Sequence, residues 1–306
     1  MARLVTKSAL APILMPSTAT DMIVVNTIAA VRDAVARSRA SGSTIGFVPT
    51  MGALHTGHIS LVERSKRDTD VTVMSIFVNP LQFGPNEDLS SYPRPVEDDE
   101  AMAREAGVDI LFRPDVREMY PSEREVSVTA AAVASDWEGA SRPGHFDGVL
   151  TVVAKLFNIV QPDISVFGRK DLQQAVLVSA MVHDLDMPLT IIVAPIVREH
   201  DGLALSSRNR YLSESDRKAA LSLNQSLKEV RRAFAGGERN TAGLEAAGRA
   251  VLDHEAGVKT DYFAVVDGST LSRHETADRS FAVIVAARVG STRLIDNMTL
   301  GGDDED

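Results

Sequence analysis

The sequence has no cysteine, few aromatic residues and no long apolar run. Without cysteine, the 306-residue chain forms neither disulfides nor thiolate sites, which is compatible with a reducing compartment. No stretch approaches the roughly 20 apolar residues needed to span a bilayer. Basic residues are outnumbered, with 32 Lys and Arg against 42 Asp and Glu, and a broad nucleic-acid-binding face would need the opposite balance. We therefore expect a cytoplasmic protein that binds neither nucleic acid nor membrane.

The first residues contain a short apolar segment that resembles part of a signal peptide. Arg3 and Lys7 precede this segment, residues 9–15, but prolines interrupt it and it is very short. We favour an N-terminal extension over residues 1–21, in front of a fold that starts near Met22, itself a possible start codon.

Residues 22–198 alternate short β-branched runs with segments of helical period, the pattern of a parallel sheet covered by helices. The apolar spacing over 149–160 predicts an amphipathic core helix, and a second helix follows at 171–184. We expect an α/β fold, with a Rossmann-like parallel sheet that carries helices on both faces. The predicted strands are 44–48, 71–78, 108–112, 164–167 and 189–194.

The amino-acid composition changes after residue 198. Residues 199–210 are polar and rich in Ser and Arg, which indicates a functional loop between two domains. Ser213 and Asp216 form a capping-box variant that opens a long helix ending near Gly236. We expect a smaller, lid-like C-terminal α+β domain at 199–300 and a disordered acidic tail at 301–306. Its other predicted elements are a helix at 241–256 and strands at 262–266 and 281–287.

The segment 49–58, PTMGALHTGH, follows a buried strand and opens a helix, the geometry in which free backbone N–H groups meet an anion. Gly52 and Gly57 permit close backbone approach. His55 and His58 are three residues apart, so both side chains can donate to phosphates from the first turn. The alternatives are a partial metal site or incidental surface residues. Zinc is disfavoured, because the chain has no cysteine and no H-E-x-x-H pattern.

Three other polar segments follow predicted strands or lie within the domain linker, and each has a plain structural alternative. Asn79 and Gln82 offer amide groups at the sheet edge, although Asn-Pro commonly starts a turn. Lys170 suits a phosphate and Asp171 a ribose, although the same residues suit a capped helix start. Residues 205–209, LSSRN, suit an anion or a solvated loop.

Together these segments closely resemble the pantothenate synthetase family over about 22–300. The resemblance rests on the order PTMGALHTGH, FVNPLQF, YPR, RPGHFDGVLTVVAKLFNIVQPD, FGRKDLQQ and REHDGLALSSRNRYL. It implies an ATP-dependent condensation of pantoate with β-alanine through a pantoyl adenylate, with release of AMP and pyrophosphate. It also implies Mg²⁺ with the ATP and a homodimer.

The resemblance also implies residue roles. His58, the family's proton donor, would act with His55 and Lys170 in catalysis. The residues that would contact pantoate or β-alanine are Gln82, Gln174, Asn79, Tyr92 and Arg142. Glu138 matches a further pocket position, and Asp98 would lie near the metal. The ATP-binding positions would be Met51, Gly52, Ala53, Leu54, His55, Thr56, Gly57, His58, Gly168, Arg169, Lys170, Asp171, Val197, Leu205, Ser206, Ser207 and Arg208.

Three positions depart from the family pattern. Arg169 stands where Glu or Gln is usual, Leu172 replaces an aromatic residue, and Leu205 replaces Met. We expect these departures to change the affinity for ATP more than the reaction itself. The alternatives are another H-x-G-H nucleotidyltransferase acting on a different acceptor, which the glutamines of FVNPLQF and FGRKDLQQ disfavour, and a non-catalytic nucleotide-binding protein.

Overall fold

The computed structural model describes residues 21–85 and 87–302, so the predicted extension at 1–20 and residues 303–306 of the acidic tail lie outside the described residues. Six parallel strands form the larger sheet: β1 (Ile23–Val25), β2 (Ile45–Thr50), β3 (Val71–Ile76), β4 (Ile110–Phe112), β5 (Ile164–Gly168) and β6 (Thr190–Ala194). Their order across the sheet is β1-β4-β3-β2-β5-β6.

Helices cover both faces of this sheet, as predicted, because successive strand residues point to opposite sides. Phe47 packs in the cluster beneath α1 (Ile28–Ala40), α6 (His145–Val160) and α7 (Leu172–Asp184). Its neighbour Val48 packs in the cluster beneath α2 (Thr56–Asp68) and α3 (Val96–Glu105). Two short helices, α4 (Val116–Met119) and α5 (Glu138–Ser141), lie in the connections.

The five predicted strands of this sheet are present within two residues of their predicted bounds, and β1 is an additional edge strand. The predicted core helix is confirmed as α6, which is buried along most of its length. Strand order reverses between β2 and β5, since β3 and β4 lie on one side of β2 while β5 and β6 lie on the other. Ligands of open α/β sheets bind at such a reversal, outside the carboxyl ends of the strands.

The C-terminal part contains α8 (Glu214–Ala235), α9 (Thr241–Asp253) and an antiparallel sheet of β7 (Val258–Asp267), β8 (Phe281–Val289) and β9 (Thr292–Leu300). The helices pack on one face of the sheet. Ser213 caps α8 as predicted, since its Oγ accepts from Asp216 N at 3.1 Å. The boundary at residue 199 stays a prediction.

The other face of the small sheet packs against the larger domain. Leu172 and Val176 of α7 and Trp137 share a cluster with Ala264 and Ile284 of the small sheet. A common apolar cluster of this kind stabilises one relative placement of the two sheets. Within residues 21–85 and 87–302, every helix is too short or too polar to span a bilayer.

Candidate active site

A cavity of about 240 Å³ lies at the carboxyl edge of the larger sheet, on both sides of the strand-order reversal. Segments that follow β2, β3, β5 and β6 line it, and residues 205–208 close it from the C-terminal side. Most of the residues expected from the sequence are therefore brought together. The lining includes Met51, His55, Gly57, His58, Asn79, Gln82, Tyr92, Arg142, Gly168, Lys170, Asp171, Gln174, Val197, Leu205, Ser206, Ser207 and Arg208.

The loop between β2 and α2 is held from behind by a carboxylate. Gly52 and Ala53 have φ values of +82° and +50°, so the chain turns sharply through two left-handed residues. Asp99 of α3 is 3% exposed, and its two oxygens accept from Ala53 N at 2.9 Å and Leu54 N at 2.7 Å. These two backbone groups therefore donate to Asp99 and are not free for an anion, and the anion-binding role of the segment 49–58 stays a prediction.

His55 and His58 cap the first turn of α2. His55 Nδ1 accepts from Gly57 N at 3.1 Å, and His58 Nδ1 accepts from His55 N at 3.3 Å. A neutral imidazole that accepts at Nδ1 carries its proton on Nε2. The two rings lie 4.1 Å apart between centroids with a tilt of 35°. The pair therefore presents two Nε2–H donors of fixed orientation.

Both histidines are neutral near pH 7. Burial, followed by the charge of Lys170, lowers the pKa of His55 to about 4. Burial and the neighbouring His55 lower the pKa of His58 to about 3. Desolvation disfavours the charged imidazolium, and nearby positive charge adds to that effect. The cavity thus contains two hydrogen-bond donors that carry no positive charge.

Gln82 is fixed within the cavity by Asn79. Asn79 is 1% exposed, and its Nδ2 donates to Gln82 Oε1 at 3.1 Å and to Gly148 O at 3.0 Å. Its Oδ1 accepts from Leu81 N and Tyr120 Oη, so its amide is fully engaged. Asn79 also begins the 3₁₀ turn 80–82, as its Asn-Pro sequence predicts. The same asparagine therefore both starts a turn and lines the cavity.

Arg142 is already paired with other groups. Its guanidinium binds both oxygens of Glu87 at 2.7 and 2.6 Å and donates to Gln82 O at 3.2 Å. His145 Nδ1 also bonds Gln82 O at 2.8 Å, while its Nε2 lies 3.0 Å from Arg142. Burial lowers the pKa of His145 to about 4, so it is neutral as well. Arg142 and His145 together hold the backbone of Gln82.

Neighbouring glutamines on α7 have separate environments. Gln173 Nε2 donates to Val133 O at 2.6 Å and Asp136 O at 3.0 Å, and its Oε1 accepts from Glu138 N at 2.9 Å. Gln174 lines the cavity instead. One glutamine of the pair Gln-Gln therefore supports the fold, and the other faces the site.

Hydrogen bonds within the loop after β6 fix its shape. Leu205 N donates to Val197 O at 3.0 Å, and Ser206 Oγ accepts from Arg208 N at 3.2 Å. Tyr92 is a buried side chain that lines the cavity with Ser207, and its burial raises its pKa. Arg208 reaches Asp88 at 3.5 Å, a long contact that leaves its guanidinium available.

Several expected residues lie outside the cavity lining. Ala53 and Leu54 are buried in the core, and Asp98 is exposed on the first turn of α3, where its neighbour Asp99 holds the loop. Gly52, Thr56 and Arg169 are also absent from the lining. Glu138 lies in the domain junction and pairs with Arg293 through both oxygens at 2.7 Å.

Sequence reasoning missed Asp99, Glu87 and His145. Asp99 sits in an acidic run that looks like an ordinary helix start, and only the fold shows that it faces the loop. His145 belongs to the RPGHFDG motif, which by itself indicates no role for this histidine.

A wider cleft of about 960 Å³ continues from the cavity between the two domains and shares Lys170 and Arg208 with it.

Known proteins resemble this chain along most of its length. The family model described as pantoate-beta-alanine ligase matches residues 23–299. Pantothenate synthetase of Desulfitobacterium hafniense (strain DSM 10664 / DCB-2) is 49% identical over 281 residues, covering 92% of this chain and 100% of that protein. The crystal structure of pantothenate synthetase from Thermus thermophilus matches with a TM-score of 0.87 and 47% identity, covering 90% of this chain and 99% of that one. Pantoate-beta-alanine ligase from Francisella tularensis, complexed with beta-gamma ATP and beta-alanine, matches with a TM-score of 0.74 and 35% identity, covering 90% and 97%.

Proposed function

The chain belongs to the pantoate–β-alanine ligase family, and on that premise we propose how its residues carry out the reaction. The enzyme joins pantoate to β-alanine with the use of ATP and forms pantothenate. One observation carries the assignment of roles: two neutral imidazoles, a lysine and two glutamines line the same cavity at the strand-order reversal.

The proposed reaction has two steps. A carboxylate oxygen of pantoate attacks the α-phosphorus of ATP, the bond to the bridging oxygen breaks, and pyrophosphate leaves. The unprotonated amine of β-alanine then attacks the carbonyl carbon of pantoyl adenylate, the bond to AMP breaks, and the amine loses a proton to water. Adenylation is needed because a carboxylate is a poor acyl donor, whereas AMP is a good leaving group.

The first step concentrates negative charge on the departing pyrophosphate. We assign His55 and His58 as Nε2–H donors to these phosphate oxygens, with Lys170 and Arg208 supplying positive charge. Because both imidazoles are neutral and already oriented, they stabilise charge without transferring a proton. Ser206 and Ser207 add hydroxyl groups on the same side.

Gln82 and Gln174 are assigned to pantoate, whose two hydroxyls and carboxylate suit amide groups. Asn79 and Arg142 are engaged with neighbouring residues, and Tyr92 is buried in the cavity lining. We assign these three residues to holding this pocket. Asp171 lines the cavity beside Lys170 and suits the ribose hydroxyls of ATP.

We propose Mg²⁺ as the companion of ATP. Such an ion takes most of its ligands from phosphate and water and needs only one or two protein carboxylates. Asp98 has the right chemistry, since it is exposed and adjoins Asp99 on the helix that holds the phosphate loop. Mg²⁺ would neutralise charge on the phosphates, and Asp98 would hold it there.

A homodimer and a cytoplasmic location are also proposed. The exposed segment 121–127 of the larger domain, with Val126 82% exposed, offers an apolar side chain for burial against a second copy. ATP, the substrate, is a cytoplasmic metabolite. Size measurement in solution would test the dimer, and a monomer at micromolar concentration would contradict it.

Product analysis by mass spectrometry tests the function directly. With ATP, Mg²⁺ and pantoate, we expect AMP to be released in quantity only when β-alanine is added, together with pantothenate. A different adenylylated product, with no pantothenate, would overturn the proposal.

A further inference from the structure

Asn297 of β9 reaches from the C-terminal domain to the turn that carries Lys170. Its side chain is 2% exposed, and its Nδ2 donates to Arg169 O and to Lys170 O, each at 2.9 Å. Both carbonyls belong to the 3₁₀ turn 169–171 between β5 and α7. One amide group therefore satisfies two successive carbonyls of a turn in the other domain.

The segment around Asn297 is itself firmly held. Arg198 binds both oxygens of Asp296, at 2.7 and 3.0 Å, and donates to Asn297 O at 3.2 Å. Asp296 Oδ1 also accepts from Asn297 N at 2.8 Å. Because Arg198 follows β6 of the large sheet, these contacts fix Asn297 against the edge where the cavity lies.

Only the nitrogen of the Asn297 side-chain amide makes hydrogen bonds with the residues that the structure describes. Its Oδ1 is buried, and no residue that the structure describes donates to it. A buried polar atom without a partner is unfavourable, so an amide at this position is tolerated for what its two N–H groups do. Those two groups are both directed at the turn.

Lys170 is the middle residue of this turn. Within residues 21–85 and 87–302, its Nζ makes no hydrogen bond or ion pair, although its charge acts on His55 and Asp296. A lysine side chain has many rotamers, so the backbone is the part of the residue that the fold can fix. We propose that Asn297 is a positioning residue that aims Lys170 at the phosphates of ATP, an inference that rests on the role proposed above for Lys170.

The test is a double-mutant cycle with Lys170→Ala and two variants of Asn297. Asn297→Leu removes the donors at similar volume, and Asn297→Ala removes them without steric conflict. Each should lower kcat/KM for ATP by about tenfold to a hundredfold, the range expected when a reacting group is misplaced. KM for pantoate should change little. In the Lys170→Ala background, either change at Asn297 should cost almost nothing further.

Asn224→Leu is the matched control, since Asn224 is also a buried asparagine of the C-terminal domain but lies outside the cavity. It should lower the melting temperature while leaving KM for ATP unchanged. Full additivity between Lys170→Ala and both Asn297 variants would overturn this inference but would leave the proposed role of Lys170 in place. A loss confined to Asn297→Leu would also overturn it, because that result indicates a steric effect. Normal activity in Lys170→Ala would overturn the proposed role of Lys170 and the inference with it.

Discussion

His55 and His58 hold each other in place, because the backbone N–H of His55 donates to Nδ1 of His58 and the two rings lie 4.1 Å apart. The Nδ1 atom of His55 is taken by Gly57 N. Each imidazole is thus oriented before any substrate binds, and donors that need no reorganisation are the most effective in stabilising developing charge.

His55 combines a cap with a donor, and two substitutions separate these roles. His55→Asn keeps a good N-cap for α2 but loses the imidazole, whereas His55→Ala loses both. We expect turnover to fall by about a hundredfold to a thousandfold in both variants, the usual effect of removing one such donor. Only His55→Ala should also lose stability, by about 1 kcal/mol. Steady-state kinetics and urea unfolding would measure the two effects. Near-normal turnover in His55→Asn would remove the imidazole from the mechanism.

Stability should decrease as the pH falls from about 6.5 toward 4. His55, His58 and His145 stay neutral in the folded chain, with pKa values of about 4, 3 and 4, against an ordinary value near 6.5. In this window the unfolded chain binds protons that the folded chain does not, so acid favours unfolding. Each histidine should contribute up to about 1.4 kcal/mol per pH unit to the slope. Urea unfolding between pH 4.5 and 7.5 would measure it. His55→Asn should have a slope smaller by about one proton, and an unchanged slope would contradict the assignment.

The adjacent residues Gln173 and Gln174 form a natural pair of test and control. Gln174→Ala should raise KM for pantoate with little effect on stability, because this side chain lines the cavity. Gln173→Ala should lower stability by about 1 to 3 kcal/mol, because three backbone groups lose their partner. Pantoate saturation curves and thermal melting would distinguish them. The same response in both variants would show that the two roles are not separate.

Asp98 and Asp99 should respond differently to the same change. Asp99→Asn replaces one carboxylate oxygen with an amide nitrogen, which cannot accept from Ala53 or Leu54, so the loop should loosen and KM for ATP should rise about tenfold. Asp98→Asn should instead raise the Mg²⁺ concentration needed for half-maximal rate, with KM for ATP unchanged at saturating Mg²⁺. Titrations of ATP and of Mg²⁺ in both variants provide the measurement. A normal Mg²⁺ requirement in Asp98→Asn would argue against Asp98 as the ligand.

The alternation of apolar runs was enough to predict the parallel sheet and the core helix, because both are buried and their periods are clear. The edge strand β1 was missed, since it has three residues and Ile23 is 44% exposed. β9 was missed for a different reason. Its polar residues Asp296 and Asn297 are buried at the domain junction, where their partners come from distant parts of the chain.

The candidate site was predictable where a residue follows a strand and lines the cavity itself. It was not predictable where a residue acts on another residue, as Asp99 does on the loop and Gln173 on the connection before α5. Such partners are far apart in sequence, and nothing in the local pattern distinguishes Asp99 from Asp98 or Gln173 from Gln174.

The place of β9 in the chain bears on protein synthesis. Translation delivers the large sheet, both histidines and the turn 169–171 well before residue 297 leaves the ribosome. The turn acquires its two hydrogen bonds from Asn297 only after β9 has emerged. On our inference, a nascent chain stalled before β9 already carries both histidines and Lys170 but uses ATP inefficiently, and full activity requires the completed small sheet.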